Sequence, residues 1–496
     1  MQTTVINSFR TISDDSRLQQ NGLLTYVKNF DAYTSSRTLT PINGTEAEGG
    51  SISVYGIGAV APVTASNGTE YLMAIGHPSG NTRVQFLEKS GDFITSNFTT
   101  STSGAGTVNG VITAHIASYF GKSYVYREDT GVAKIASYDR ATNTLVETVG
   151  TIGGSSASLY PPPFVHPKNK KIFFASGNTI ASYDNSSFTG TAFTLQSNLV
   201  VTSFCDYGDL LAIAAVTKGS NPRSYLILWD MASTTVISTY DAGDGALKVL
   251  DNAFGPLIGI SSPSLNGSGT SFEQTGRIVF REFNGSRMNV IKEVVSESTT
   301  AQLLNVKGRV RSSIVFCASV KANGTTQEPM LWVCGKDANG LYVLPERTAN
   351  NDIAASSIDT FSIIGSFAWI AYNGDGSLSR SEDSSTTFDC TAIYESQRFN
   401  GDSSVKKKQL WSVGVGFAPL PTAGQVVLKY RVDSDTSWTT IFTETTDNAI
   451  SREATLDASG NNLPSSYKEI QFRIESTGGA SITELRFKWD YIDNQT

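Results

Sequence analysis

Three histidines, His77, His115 and His166, are the only imidazoles in the chain, and they stand far apart in unlike surroundings. His77 and His166 each precede a proline and read as turn residues, while His115, flanked by Ala114 and Ile116, reads as a strand residue. A hydrolytic triad or a three-histidine metal centre would have to assemble from these in space, with no motif behind it. The G-x-S-x-G turn of a nucleophilic serine is absent. Gly121-Lys122-Ser123 matches the end of a phosphate cradle, but Ile116 occupies the position of the first glycine and no helix is expected to follow. Gly104, Gly106 and Gly110 miss G-x-G-x-x-G by one position, in a stretch that reads as loop. Residues 241–245 and 373–376 offer oxygen ligands on glycine-rich turns, yet lack the acidic spacing and closing glutamate of a calcium loop. The predicted chemistry is therefore none: no catalytic residue, no cofactor and no metal, and no enzyme.

Composition narrows the class further. The four cysteines, Cys205, Cys317, Cys334 and Cys390, show no C-x-x-C spacing and read as buried free thiols of a chain made in a reducing cytoplasm. A net charge of −7 and a pI near 5.2 argue against a nucleic-acid binder, which would carry a basic face. The one basic cluster, Lys406-Lys407-Lys408, reads as a solvated strand approach. No run of 18 apolar residues is present, so membrane insertion is not expected, and the first residues lack the layout of a secretory signal. Asn-Gly-Thr and Asn-Gly-Ser at Asn43, Asn67, Asn266 and Asn323 read as hairpin turns before they read as glycosylation sites.

The strongest pattern is a repeat. Ile-Ala-Ser-Tyr-Asp occurs at residues 135–139 and again at 180–184, and Leu226-Ile227-Leu228-Trp229-Asp230 follows at the same interval. Looser echoes stand at residues 84–88, 278–284, 331–337 and 378–383, giving seven marks spaced by roughly 45–55 residues. Each reads as an apolar strand ending on an aromatic or acidic residue at a turn. A unit of that kind cannot cover both its faces alone, so neighbouring units must stack and the series must close into a ring. The expectation is an all-β chain with a propeller of about seven blades over residues 51–396.

Beyond residue 397 the alternation becomes strict. Val413, Val415 and Phe417 share a face; Leu428, Tyr430 and Val432 alternate with Lys429, Arg431 and Asp433. Ile470, Phe472 and Ile474, and then Leu485, Phe487, Trp489 and Tyr491, repeat the arrangement. Period-two patterning with one apolar and one charged face predicts an antiparallel β-sandwich, jelly-roll-like, over residues 397–496. Residues 1–50 read as an irregular N-terminal arm that gains order by docking onto a neighbouring subunit.

Two resemblances accompany this reading. Ser381-Glu382-Asp383-Ser384-Ser385-Thr386-Thr387-Phe388 resembles the Asp-box hairpin of sialidase-type propellers, S-x-D-x-G-x-T-W, with Ser385 in place of the glycine and Phe388 in place of the tryptophan. In those proteins the box is a structural turn away from the catalytic centre, so the resemblance implies blades and not glycan cleavage. The order of arm, propeller and sandwich resembles the hub or nozzle proteins at the tip of short tails of tailed bacteriophages. Tyr26-Val27-Lys28-Asn29-Phe30-Asp31, Arg37-Thr38-Leu39-Thr40-Pro41 and the stretches Leu428-Lys429-Tyr430-Arg431-Val432 and Trp438-Thr439-Thr440-Ile441 are similar to segments of such virion proteins. The resemblance implies a structural role in the virion tail, synthesis in the host cytoplasm, and a homo-oligomeric ring with other tail subunits as partners. Two rival functions remain: a receptor- or glycan-binding module using Trp438, with Asp435 in the same loop, and a propeller enzyme with carboxylates converging on the axis.

Overall fold

The computed structural model describes residues 1–7, 9, 11–12, 23–31, 37–42, 45–47, 54–78, 83–90, 99–100, 107–109, 115–154, 160–219, 221–262, 276–295, 302–310, 312–320, 328–337, 340–348, 357–364, 367–374, 377–381, 391–401, 403–456 and 462–492. Seven antiparallel sheets follow one another through these residues. Blade 1 is built from Val54–Thr64, Glu70–Pro78 and Arg83–Ser90, with Thr99–Thr100 and Thr107–Asn109 sharing its outer edge. Blade 2 comprises Ile116–Tyr119, Lys122–Asp129, Val132–Asp139 and Thr144–Thr151; blade 3 comprises Phe164–Val165, Ile172–Ser176, Thr179–Tyr183 and Phe188–Thr194. Blade 4 runs through Leu199–Tyr207, Leu210–Thr217, Arg223–Trp229 and Ser238–Asp244. Blade 5 runs through Ala246–Asp251, Ile258–Ser262, Arg277–Phe283 and Met288–Val295. Blade 6 contains Gln302–Val310, Ser313–Val320, Glu328–Asp337 and Gly340–Thr348. Blade 7 takes Ile358–Ile364, Phe367–Tyr372 and Ser377–Ser381 from late in the chain and its fourth strand, Thr45–Ala47, from the beginning.

The described residues of all seven sequence marks fall on the third strand of a blade or one residue past its end. The first strands of successive blades touch one another from blade 4 through blades 5, 6, 7 and 1 to blade 2, and short contacts through blade 3 complete the circle. The first strands therefore line the axis of a closed seven-bladed β-propeller. Second strands read as unbroken apolar runs because stacked blades cover both their faces: every residue from Leu211 to Val216 is buried. Trp229 shows the inter-blade packing, stacked on Phe193 at 4.9 Å and edge-on to Phe173 at 6.1 Å. Truncating a buried tryptophan of this kind costs roughly 3–5 kcal/mol.

Of the remaining strands, Phe30–Asp31 and Thr40–Pro41 pair with each other, and the others form two sheets whose apolar faces meet. One contains Gln2–Ile6, Ile482–Tyr491, Lys408–Phe417 and Ser451–Thr455; the other contains Thr11–Ile12, Leu23–Lys28, Ala392–Ser396, Ile470–Thr477, Gln425–Val432 and Thr439–Glu444. Phe487 from the first sheet lies 4.9 Å from Phe472 in the second and 4.9 Å from Phe399. The expected alternation holds for Val413, Val415 and Phe417, all buried. It fails at Arg431, which is buried on the face expected to be wet, because Trp438 lies over its guanidinium at 4.6 Å and Gln471 accepts from its Nε.

The N-terminal stretch departs most from expectation. Its described residues are not an irregular arm reaching for a neighbour; they pair within the chain. Gln2–Ile6 aligns with Ile482–Tyr491, Leu23–Lys28 with Ala392–Ser396, and Thr45–Ala47 with Ser377–Ser381. Each is short, and its partner lies hundreds of residues away, so local periodicity carries no trace of the pairing. Phe9, Val27, Phe30 and Leu39 join the ring's core to that of the two sheets, and Ala392–Ser396 belongs to the second sheet rather than to a blade. The outer strand of blade 6 packs against Leu23–Lys28, which fixes the two-sheet unit to the ring.

Candidate functional site at the mouth of the ring

Three consecutive first strands, those of blades 4, 5 and 6, bring a charged cluster to one end of the axis. Asp251, the last residue of its strand in blade 5, has a carboxylate only 1% exposed. Lys307 of blade 6 places Nζ 2.9 Å from Oδ2, and Arg309, two residues along the same strand face, places Nη2 2.8 Å from Oδ1. Lys307 Nζ also donates to the carbonyls of Leu250 and Phe204, so its three donors are spent. Burial opposes the charged form of Asp251, but the two cations and their hydrogen bonds outweigh it, and its pKa lies below the ordinary carboxylate range. Asn252 joins this trio to blade 4: it accepts from Arg309 Nη2 at 2.8 Å and donates to Asp206 Oδ2 at 3.1 Å. Asp206, Asp251, Lys307 and Arg309, together with Phe164, Val165 and Pro167 of blade 3, line a cavity of about 410 Å³.

Deeper in the ring the axis is bridged. Asn305, on blade 6, donates to the carbonyl of Tyr160, which precedes blade 3 on the other side. His115 bonds the same carbonyl; burial holds its imidazole down at about 4 despite that bond. Lys248, on a bulge of the first strand of blade 5, donates to Leu303 across the blade boundary at 3.0 Å, and burial lowers its ammonium to about 8. The arrangement neutralises charge and ties blades together. Asp251 itself is committed to two cations. Among the described residues no group of three or more His, Cys, Asp or Glu side chains is placed to hold a metal ion.

The residues singled out by type and spacing are scattered. His166 is fully buried, with Nε2 3.2 Å from the Leu210 carbonyl and Nδ1 accepting from the amides of Lys168 and Asn169, so it clasps a turn of blade 3 to blade 4. His77 is half-buried in the second strand of blade 1, and burial lowers its pKa. Gly121-Lys122-Ser123 opens a hairpin strand; a Cβ at Gly121 would meet the Ser66 backbone at 2.5 Å. Asp241 accepts from the Gly243 amide and pairs with Arg223, which is turn chemistry and not an open calcium ligand set. Cys205, Cys317 and Cys334 are buried free thiols, raised by burial, to about 12 for Cys205. Asn67 accepts from the Thr69 amide in a tight turn. Cys390, the glycines 104, 106 and 110, residues 375–376 and the Asp-box positions 382–388 lie outside the described residues.

The acidic residue of the repeat has a structural role. Asp184 accepts from the amides of Ser186 and Ser187, Asp230 from those of Ala232 and Ser233, and Asn284 from those of Ser286 and Arg287. The side chain closes the turn between third and fourth strands. A hydrogen bond from the Ser186 hydroxyl, and then those from the two amides, hold Asp184 down at about 2. In the two-sheet unit, Trp438 is half-buried over Arg431 and, at 5.6 Å, Arg473, while Asp435 is exposed in the same loop, its amide donating to Val432. Neither residue joins the axial cluster, whose members Asp206, Asp251, Lys307 and Arg309 belong to no motif. Their signal is three polar positions in alternation, Asn305, Lys307 and Arg309, within one strand.

No protein-family model matches the chain, and no curated protein matches it. Among solved structures, the chain is similar to U3-55K (9% identity over 68% of this chain and 98% of that one, TM-score 0.41). It is similar to the RRP9 WD40 repeats (8%, 69% and 98%, TM-score 0.42). It is also similar to a family 43 arabinoxylan arabinofuranohydrolase from Bacillus subtilis (11%, 88% and 96%, TM-score 0.31). Overlaps this loose say nothing of activity, and the ring stands on its own strand pairing.

Proposed function

We propose that the chain is a non-catalytic structural subunit of a bacteriophage tail, a hub, nozzle or adaptor component that assembles with copies of itself and with other tail proteins in the virion. The observation that carries this reading is the braced axis: Asp251 is gripped by Lys307 and Arg309 of the next blade, which is chemistry that stiffens a scaffold and withholds that carboxylate from acid–base work. Rigidity is the property that an assembly component supplies, and the lacing of the N-terminal strands through both bodies serves it. The glycan-binding reading is weaker, because a face of Trp438 is taken by two guanidinium groups. The test is the native mass of the purified protein together with its abundance in purified particles. A closed oligomer, present in particles at fixed copy number, is the expected result. A strictly monomeric protein absent from particles, or one that hydrolyses host polysaccharide, would overturn the reading.

A further inference from the structure

The axial cavity has two unfilled valences, and they are opposite in sign. Both oxygens of Asp251 and all three donors of Lys307 are engaged. Arg309 uses only Nη2, shared between Asp251 and Asn252; its Nε and Nη1 have no partner among the described residues, and the side chain is 49% exposed. Asp206 uses Oδ2 on Asn252, while Oδ1 meets only the weak Cys205 thiol donor at 3.9 Å. A guanidinium fixed through one nitrogen presents its remaining edge with little rotamer freedom left to lose, the geometry that receives a carboxylate. Asp206, one amide away through Asn252, presents the complementary acceptor. Phe164, Val165 and Pro167 supply an apolar wall. At 410 Å³ the space is within the range of small-molecule sites, and the Asn305–Tyr160 hydrogen bond crosses the axis deeper in the ring.

We propose that this cavity binds a small zwitterion of the α-amino-acid kind, with its carboxylate on Arg309, its ammonium on Asp206 and an apolar side chain against Phe164, Val165 and Pro167. The site needs only the closed ring, so it stands independently of a role in a phage tail.

The probe is L-phenylalanine, titrated calorimetrically into the full chain, with phenylacetate (no ammonium) and phenethylamine (no carboxylate) as parallel arms. Saturable binding of phenylalanine is expected, with each one-charge analogue about tenfold weaker, the loss of one charge-assisted contact. Arg309→Lys keeps a cation for Asp251 but removes the planar fork, and Asp206→Asn keeps the bond to Asn252 but removes the charge. Each is expected to weaken phenylalanine about tenfold. Asp206→Asn is further expected to abolish the preference for phenylalanine over phenylacetate, a readout that general loosening of the fold would not produce. No saturable binding up to the millimolar range would overturn the proposal. So would binding that both variants leave intact, or equal affinity for phenylalanine and phenylacetate in the unaltered protein.

Discussion

Asp184, Asp230 and Asn284 close equivalent turns in blades 3, 4 and 5, each with its side-chain oxygen on two backbone amides. Asp251 sits at the other radius of the ring, on the axis, sealed from solvent and gripped by two cations from the next blade. The outer set recurs because blades 3, 4 and 5 each turn from third to fourth strand in the same way, and its members reach solvent, so water can replace what a substitution removes. The inner residue occurs once and has no such substitute. Recurrence in this chain marks local geometry, and the departures from recurrence mark where blades are bound to each other and where a ligand could be held.

The contrast can be broken most forcefully at Asp251. Asp251→Asn leaves Lys307 and Arg309 without their shared anion and should lower unfolding free energy in urea by about 3–5 kcal/mol. A loss below about 1 kcal/mol would mean that the pair is solvent-screened after all. The buried His115 sharpens the same point through pH. Its folded pKa is depressed to about 4 from an ordinary 6.5, so between those values the unfolded chain binds the extra proton. Stability is therefore predicted to fall as pH drops from 6.5 towards 4, by about 3 kcal/mol at the lower end. His115→Gln should remove that part of the slope, as thermal unfolding across the pH series would reveal.

A smaller, local effect is expected at the ring's seam. Prolines at both Thr45 and Glu46 must delete one amide facing Ser377–Ser381, since successive amides of a strand point to opposite sides. Amide exchange in Ser377–Ser381 should speed up by the equivalent of about 1 kcal/mol or more, with the third strand of blade 4 unaffected. At the bottom of the scale, Asp184→Ala should leave the urea midpoint nearly unchanged. If it proved as damaging as Asp251→Asn, the distinction between outer and inner acids would fail.

How much of this was legible depends on where the determinants sit. The third strands of blades 3, 4 and 5 were readable because each carries an apolar run and its own turn-closing residue within a few positions, as in Ile180-Ala181-Ser182-Tyr183-Asp184. The first strands were not: bulges at Thr202, Lys248 and Asp359 interrupt their period, and those interruptions shape the axis. The N-terminal strands were hidden for another reason. Thr45–Ala47 has no pattern of its own, and its meaning comes entirely from an open blade edge at Ser377–Ser381. The axial site was invisible as a motif because Asp206, Asp251, Lys307 and Arg309 come from three blades and meet only when the circle closes.

The ion pair between Asp251 and Lys307 binds adjacent blades at the axis, and a double-mutant cycle between the two residues measures this directly. Asp251→Asn, Lys307→Met and the double variant would be unfolded in urea under identical conditions. The double variant is expected to be more stable than the sum of the single losses implies, with a coupling of about 2 kcal/mol. Losses that add to within about 0.5 kcal/mol would contradict it.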